Sequence, residues 1–291
     1  MRGAEAGLLL LCCRLGEDVT PLTSREYRIL MQRVTSSHLT GTEVTVEHLC
    51  SLGYGAEESG RIVSLLARED ALEAYLSAAR RQGIAVLTRI ADGFPQRLRR
   101  LQMDCPATLF CRGDVKLLQS RCVSLVGARN IMPENREFAC RVGLLAAREG
   151  VTLVTGGARG ADTAAQEACL QAGGSAICFV PDELYRHPPR ERVLYCSADG
   201  FAQPFTSIRA LSRNGLIHAL GEKTVVAQAG LRSGGSWSGT VDNLRRRLSE
   251  VYVFEDGSEA ARTLCELGAT PVAASVRSLL DLHPLQLSIF D

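Results

Sequence analysis

Val151-Thr152-Leu153-Val154-Thr155-Gly156-Gly157-Ala158-Arg159-Gly160-Ala161-Asp162 decides how this chain folds. Thr152–Thr155 is short, apolar and β-branched, the composition of a buried strand. A glycine-rich turn follows, and a helix is predicted from about Asp162 to Ala172, ended by Gly173 and Gly174. Working outward, Val123–Val126, Ala176–Val180, Thr224–Ala227 and Val251–Phe254 read as strands of the same kind. Between the first strand and Thr152–Thr155, Phe138, Val142 and Leu145 share one face of a predicted helix, with Gly150 at its C-terminal cap. Strands alternating with helices of this length predict an α/β fold: a doubly wound, mostly parallel sheet with helices on both faces. In such sheets ligands bind at the carboxyl ends of strands, near a reversal of strand order.

The flanking sequence divides the chain. Residues 1–83 read as a helical N-terminal domain: Leu8–Leu15 as a buried first helix, Thr23 and Glu26 at capping-box spacing, then a stripe of Tyr27, Leu30, Met31 and Val34. A second stripe runs through Ile62, Leu65, Leu66, Leu72, Tyr75 and Leu76. Residues 84–275 form the α/β domain, of which 84–120 is a connector with short extended pieces at Ile84–Leu87 and Thr108–Cys111. Residues 276–291 form a C-terminal tail. The chain has 291 residues and a net charge of +1, so an affinity for polyanions has to come from a local patch. Lys116 and Lys223 are the only lysines among 33 basic residues, and arginine suits bidentate phosphate contacts. The eleven cysteines form no Cys-x-x-Cys pair and sit mostly in apolar runs, as small buried residues do in a reducing cytosol. No metal site and no transmembrane helix is expected.

Three glycine clusters follow predicted strands. They are Gly127-Ala128-Arg129, Gly156-Gly157-Ala158-Arg159-Gly160-Ala161-Asp162 and Gly234-Gly235-Ser236-Trp237-Ser238-Gly239. Glycine lets backbone N–H groups approach an anion, and a helix N-terminus adds free donors and a positive dipole end. Arg129 and Arg159 add charged donors. The clusters together predict a phosphate-binding rim. Gly127-Ala128-Arg129-Asn130-Ile131-Met132 does not fit Gly-x-Gly-x-x-Gly, and no Walker A pattern occurs, so no nucleotide cofactor is expected. Trp237 is either a stacking platform beside the rim or a packed core indole. Asp162 is expected to be structural, capping the helix that follows it.

These motifs resemble the DNA-processing protein A (DprA/Smf) family. Val126-Gly127-Ala128-Arg129 is similar to its Val-Gly-Ser-Arg element, and Gly156–Asp162 to its Ser-Gly-x-Ala-x-Gly-Ile-Asp element. Ser212-Arg213-Asn214-Gly215-Leu216-Ile217 resembles its Arg-Asn-Arg-x-Ile stretch, and Gly234–Gly239 the Gly-Gly-Thr-Trp-Ala-Gly version of one branch. Asp92–Leu98 and Pro106–Gly113 resemble two upstream segments, so the likeness is collinear from about residue 8 to 273. The resemblance implies a Rossmann-like fold and a cytoplasmic, non-enzymatic protein that binds single-stranded DNA. It also implies loading of a RecA-type recombinase, a role in natural transformation, and a homodimer. The implied DNA and phosphate contacts are Gly127, Ala128, Arg129, Gly156, Gly157, Ala158, Arg159, Gly160, Arg213, Asn214, Gly234, Gly235 and Ser236. Three positions depart from the family pattern: Ala128 replaces Ser, Gly215 replaces the second Arg, and Gln166 replaces His. Losing a phosphate contact lowers the salt slope of binding by about one unit.

Two other functions use the same fold: a carrier or sensor of a small phosphorylated nucleotide, and a nucleotide phosphoribohydrolase. The phosphoribohydrolases use Pro-Gly-Gly-x-Gly-Thr-x-x-Glu, and here Asn243 occupies the Glu position. In the tail, Gln286-Leu287-Ser288-Ile289-Phe290 resembles the pentapeptide that docks proteins onto the bacterial sliding clamp.

Overall fold

The structure, a computed structural model, describes residues 3–37 and 44–284. Five helices come first: α1 (Gly3–Cys12), α2 (Ser24–Ser36), α3 (Val46–Ser51), α4 (Ala56–Leu66) and α5 (Glu69–Arg81). Then come β1 (Ile84–Thr88), β2 (Thr108–Arg112), β3 (Cys122–Val126), α6 (Pro133–Arg148), β4 (Thr152–Thr155), α7 (Ala161–Gln171), β5 (Ala176–Phe179) and β6 (Val193–Ser197). The last are α8 (Ser207–Leu220), β7 (Lys223–Val226), α9 (Gly234–Arg246), β8 (Glu250–Phe254), α10 (Glu259–Glu266) and β9 (Thr270–Val272).

The nine strands among the described residues form one sheet in the order β1-β2-β6-β5-β4-β3-β7-β8-β9. The ladders from β6 to β9 are parallel, while β1 and β2 add an antiparallel edge. The expected doubly wound sheet is therefore present. The chain winds outward through β4, β5 and β6 on one side of β3, and through β7, β8 and β9 on the other. The reversal of strand order falls between β3 and β7, which pair in register Val126↔Val226.

Strand alternation assigns the two faces. Val123 and Leu125 join Phe138, Val142, Ala161 and Ala165 of α6 and α7 in one buried cluster. Cys122 and Val126 join Leu216, Ile217 and Leu220 of α8 and Leu264 of α10 in the other. Burying each large aliphatic side chain is worth about 1.5–3 kcal/mol. Leu9 and Leu10 of α1 and Tyr75 of α5 share a third cluster with Phe110, Cys178 and Val180, which seats the helical segment on the sheet.

The Thr23–Glu26 capping box forms, with both reciprocal bonds present. Of the stripe predicted after it, Tyr27 and Leu30 are buried, but Met31 and Val34 are 39% and 37% exposed because α2 meets the rest of the chain along a narrow face. Strands β6 and β9 have no counterpart in the sequence reading. Residues 276–282 return to the pole where the parallel strands begin. There the Glu149 carboxylate accepts from the Leu279 and Leu280 N–H groups, and Lys223 Nζ donates to the carbonyls of Leu279, Leu280 and Leu282. The pentapeptide Gln286–Phe290 lies outside the described residues. Among the described residues no helix is long and apolar enough to cross a membrane.

Candidate functional site

The three glycine turns meet at the carboxyl end of the sheet. Gly127–Asn130 after β3 and Gly230–Ser236 before α9 flank the point where strand order reverses. They line a cleft of about 640 Å³ together with Ala158, Arg213, Asn214 and Phe205. Close approach is what requires glycine here. A Cβ on Gly127 would collide with the Ala161 methyl, and one on Gly160, which has φ +92°, with the Ala128 and Arg129 carbonyls. Ser236 Oγ donates to the Gly127 carbonyl at 2.6 Å, tying the first turn to the third.

The three turns differ in the donors they leave free. In the second, Asp162 accepts through Oδ2 from the N–H groups of Gly156 (3.0 Å) and Ala158 (3.3 Å). Gly157 N–H donates to Thr155 Oγ1 at 3.2 Å. The sequence reading had these three N–H groups facing a phosphate; the protein satisfies them itself. It also had Asp162 capping α7. The N-cap is Gly160, without a side-chain cap, and Asp162 instead folds the loop before it. By contrast, the Gly127 and Ala128 N–H groups donate to no described residue, and the N-cap Ser233 gives α9 no side-chain acceptor. The free donors and the α9 dipole therefore converge on the cleft between the first and third turns.

Helix α8 fixes the other two components of the rim. The Arg213 guanidinium donates to the carbonyls of Gly156 and Phe179. The Asn214 amide donates to the Gly235 carbonyl at 3.2 Å. Both residues were read as phosphate contacts; the structure uses them first as struts holding the second and third turns. Burial pulls Arg213 below its ordinary pKa, and the neighbouring Asp162 opposes that shift. Burial likewise raises the Asp162 carboxyl to about 6, with Arg213 and the two N–H donors acting the other way.

Arg129 is exposed and makes no hydrogen bond or ion pair with a described residue. Arg159 is exposed and donates to Asn130 Oδ1 at 3.0 Å. Arg159 borders the adjoining cavity over the ends of β4 and β5, and Arg129 lines both that cavity and the cleft. Trp237 reaches neither: it is 9% exposed and belongs to the sheet cluster with Leu216 and Ile217. The stacking platform is thereby ruled out at Trp237, because the first turn of α9 points that side chain at the core. The ring that reaches the cleft is Phe205. It is 53% exposed and lines the cleft beside Arg129. The sequence carried a signal for it. Phe205 precedes the N-cap Thr206 of α8, and the residue that would staple it four positions into the helix is Ala210, too small to bury a ring.

Two further positions are clarified. Gly215, which stands for the family's second Arg, lies in the groove between α8 and α9 beside Leu101 and Arg246, outside the residues that line the glycine cleft. Asn243, at the position of the phosphoribohydrolase acid, is fully buried. Its amide Nδ2 donates to His218 Nδ1 (3.0 Å) and Ser249 Oγ (2.9 Å), and its Oδ1 accepts from Ser249 N–H. It is a packing node with no access to the cleft. Among the described residues no three His, Cys, Asp or Glu side chains gather as metal ligands would.

Comparison with known proteins agrees with this geometry. The model of the DNA recombination-mediator protein A family matches residues 85–281. DNA processing protein DprA of Streptococcus pneumoniae (strain ATCC BAA-255 / R6) is 29% identical over 153 residues, 49% of this chain. The match spans about half (54%) of that curated relative's length. The X-ray structure of DprA from Streptococcus pneumoniae superposes on 94% of this chain and 95% of its own, with a TM-score of 0.71 at 23% identity, which shows the shared fold. DNA processing protein A of Helicobacter pylori, a structure described for its single-stranded DNA binding mode, is 27% identical with a TM-score of 0.56, covering 65% of this chain and 90% of its own. With two thirds of its residues inside the family model, this chain belongs to the DNA recombination-mediator protein A family.

Proposed function

We propose that this protein binds single-stranded DNA in the cleft between the β3 and β7 turns and passes the strand to a recombinase. The observation that carries the reading is the convergence of uncapped N–H groups, the unpaired Arg129 and the half-exposed Phe205 at the carboxyl end of the sheet. Phosphates meet the α9 N-terminus and Arg129, while a base stacks on Phe205. The single-strand binding described for the Helicobacter pylori relative supports the same ligand. A mediator's acceptor is a recombinase, here of the RecA type, and we take the working assembly to be a homodimer. The tail peptide Gln286–Phe290 remains our candidate ligand for a sliding clamp, and the protein acts by binding rather than as an enzyme.

Fluorescence anisotropy across a salt series tests the reading. A labelled single strand should bind more tightly than a duplex or a mononucleotide. Arg129→Ala should weaken strand binding about tenfold and lower the salt slope by about one. Phe205→Ala should cost about 1–3 kcal/mol of affinity with the slope unchanged, because it removes stacking and no charge. Equal affinity of both variants and the parent for the strand would place the DNA elsewhere.

A further inference from the structure

The segment after β9 has no helix or strand among the described residues, yet it is firmly held at the pole opposite the glycine cleft. Leu279 is fully buried in the cluster built on α6 and α7, and Val276, Leu280 and Leu282 pack against the same cluster. Lys223 Nζ, at the start of β7, donates to the carbonyls of Leu279, Leu280 and Leu282 over 2.5–3.0 Å. Glu149, the C-cap of α6, accepts from the Leu279 and Leu280 N–H groups at 2.8 and 3.0 Å. The Tyr252 hydroxyl reaches both the Leu282 carbonyl (3.0 Å) and Glu250 Oε2 (2.8 Å), and its ring lies 5.8 Å from the Lys223 ammonium.

Lys223 is one of only two lysines in the chain, and its place explains the choice. Three carbonyls converge on one nitrogen, and an ammonium carries three donors there, whereas each terminal guanidinium nitrogen carries two. Ordering an irregular segment costs backbone entropy, which these bonds and the burial of Leu279 offset. The anchor serves nothing in the cleft. Strand β7 has four residues, so about 13 Å of strand separates Lys223 from the cleft beyond Val226. What the anchor does place is the approach to Gln286-Leu287-Ser288-Ile289-Phe290. Gln286 follows the last described residue, Pro284, by two positions, so at about 3.8 Å between consecutive Cα atoms it begins within about 8 Å of Pro284. One amide and three large apolar side chains in five residues suit a ligand for a partner's apolar groove.

We propose that residues 276–284 are a presenting arm: the Lys223–Glu149 clasp fixes the arm at the amino pole of the sheet, so that the pentapeptide engages a sliding clamp while the carboxyl pole holds a single strand. The proposal rests on the strand and clamp readings above and adds a fixed geometry to them. One protein is held by two partners at once, at opposite ends of its sheet, and neither partner excludes the other. A clamp encircles duplex DNA, so the single strand is kept beside a duplex instead of free in solution. Lys223 and Glu149 are positioning residues in this arrangement. They touch neither partner and set the direction in which the peptide leaves the fold.

The test uses the full chain, a purified bacterial sliding clamp fixed to a surface, and a short oligo-dT with a dye at one end. The clamp should retain the protein, and the retained protein should bind the strand within about twofold of the affinity of the free protein, because uncoupled sites do not alter each other's affinity. Deleting residues 286–291 should abolish retention and leave strand affinity unchanged. A second dye on the clamp then reports its distance to the strand by single-molecule energy transfer. The parent should give one narrow distribution. Lys223→Met and Glu149→Gln should each broaden it while both affinities are retained, which also shows that these variants fold. Should Lys223→Met not fold, Glu149→Gln and Tyr252→Phe carry the same measurement. A strand that displaces the protein from the clamp overturns the proposal. Retention that survives the deletion removes the tail as the ligand, and a distribution that stays narrow in the folded variants removes the clasp. The strand reading fails separately, through an Arg129→Ala variant that binds oligo-dT as the parent does while retention on the clamp is untouched.

Discussion

Arg213→Ala should lower the unfolding free energy by about 3–5 kcal/mol and remove strand binding with it. The guanidinium joins the carbonyls at the ends of the β4 and β5 turns, which no other described donor reaches. It also supplies the largest compensating charge for Asp162, which is 6% exposed. Hydrogen bonds to a charged group are worth about 1.5–3 kcal/mol each, and removing one partner of a buried pair leaves the other uncompensated. Gly156 would be freed at the same time: its Cα packs so closely on the guanidinium that a Cβ there would strike it. Arg213→Lys should recover less than half of the loss, because an ammonium cannot donate along two fixed directions as the planar fork does. Urea unfolding followed by circular dichroism measures both variants. If Arg213→Ala stays within about 1 kcal/mol of the parent while DNA affinity falls, the residue is a simple phosphate ligand and the strut described above is wrong.

Asp162→Asn and His218→Gln should expose two pH dependences that oppose one another in the parent. Burial raises the Asp162 carboxyl from 3.8 to about 6. Between those values the folded chain holds a proton that the unfolded chain has released. Its contribution to stability is full below pH 4 and is lost as pH rises through 6. His218 is 1% exposed and is pulled by burial from 6.5 to about 4. Its Nδ1 accepts from Asn243, so the proton of the neutral ring sits on Nε2, which is buried without an acceptor. Below pH 6.5 the unfolded chain takes up a proton that the fold refuses, so stability is lost as pH falls toward 4. Each contribution amounts to roughly 3 kcal/mol, and they cancel across nearly the same window. Asp162→Asn should therefore leave a protein that loses about 3 kcal/mol on acidification from pH 7 to pH 4. His218→Gln should leave one that gains about as much over the same range. Parallel pH profiles for the two variants and the parent would show that neither group titrates in this window.

Read alone, the sequence determined the parallel core and the identity of its turns. Runs such as Thr152–Thr155, bounded by glycine and followed by a helical period, leave few alternatives. A short strand buried on both faces and a helix buried on one are both local patterns of hydrophobicity. The position of the rim followed from the same patterns, since strand ends and helix starts are marked by glycine. Strand β6 escaped because Val193–Ser197 mixes Tyr, Cys and Ser after a charged run, and only its ladders to Ala176–Phe179 and Phe110–Arg112 make it a strand. The division of labour at the rim was settled by tertiary structure alone. Arg129 and Arg213 look alike in sequence, but one reaches solvent and the other meets carbonyls from residues 57 and 34 positions earlier. Trp237, which the sequence left open between a platform and a core indole, is buried while Phe205 is exposed for a similar reason: helix packing, not composition, chose which ring is buried. Side-chain type sets which contacts a residue can make, whereas the partner it finds depends on elements distant in the chain, and no local pattern records that distance.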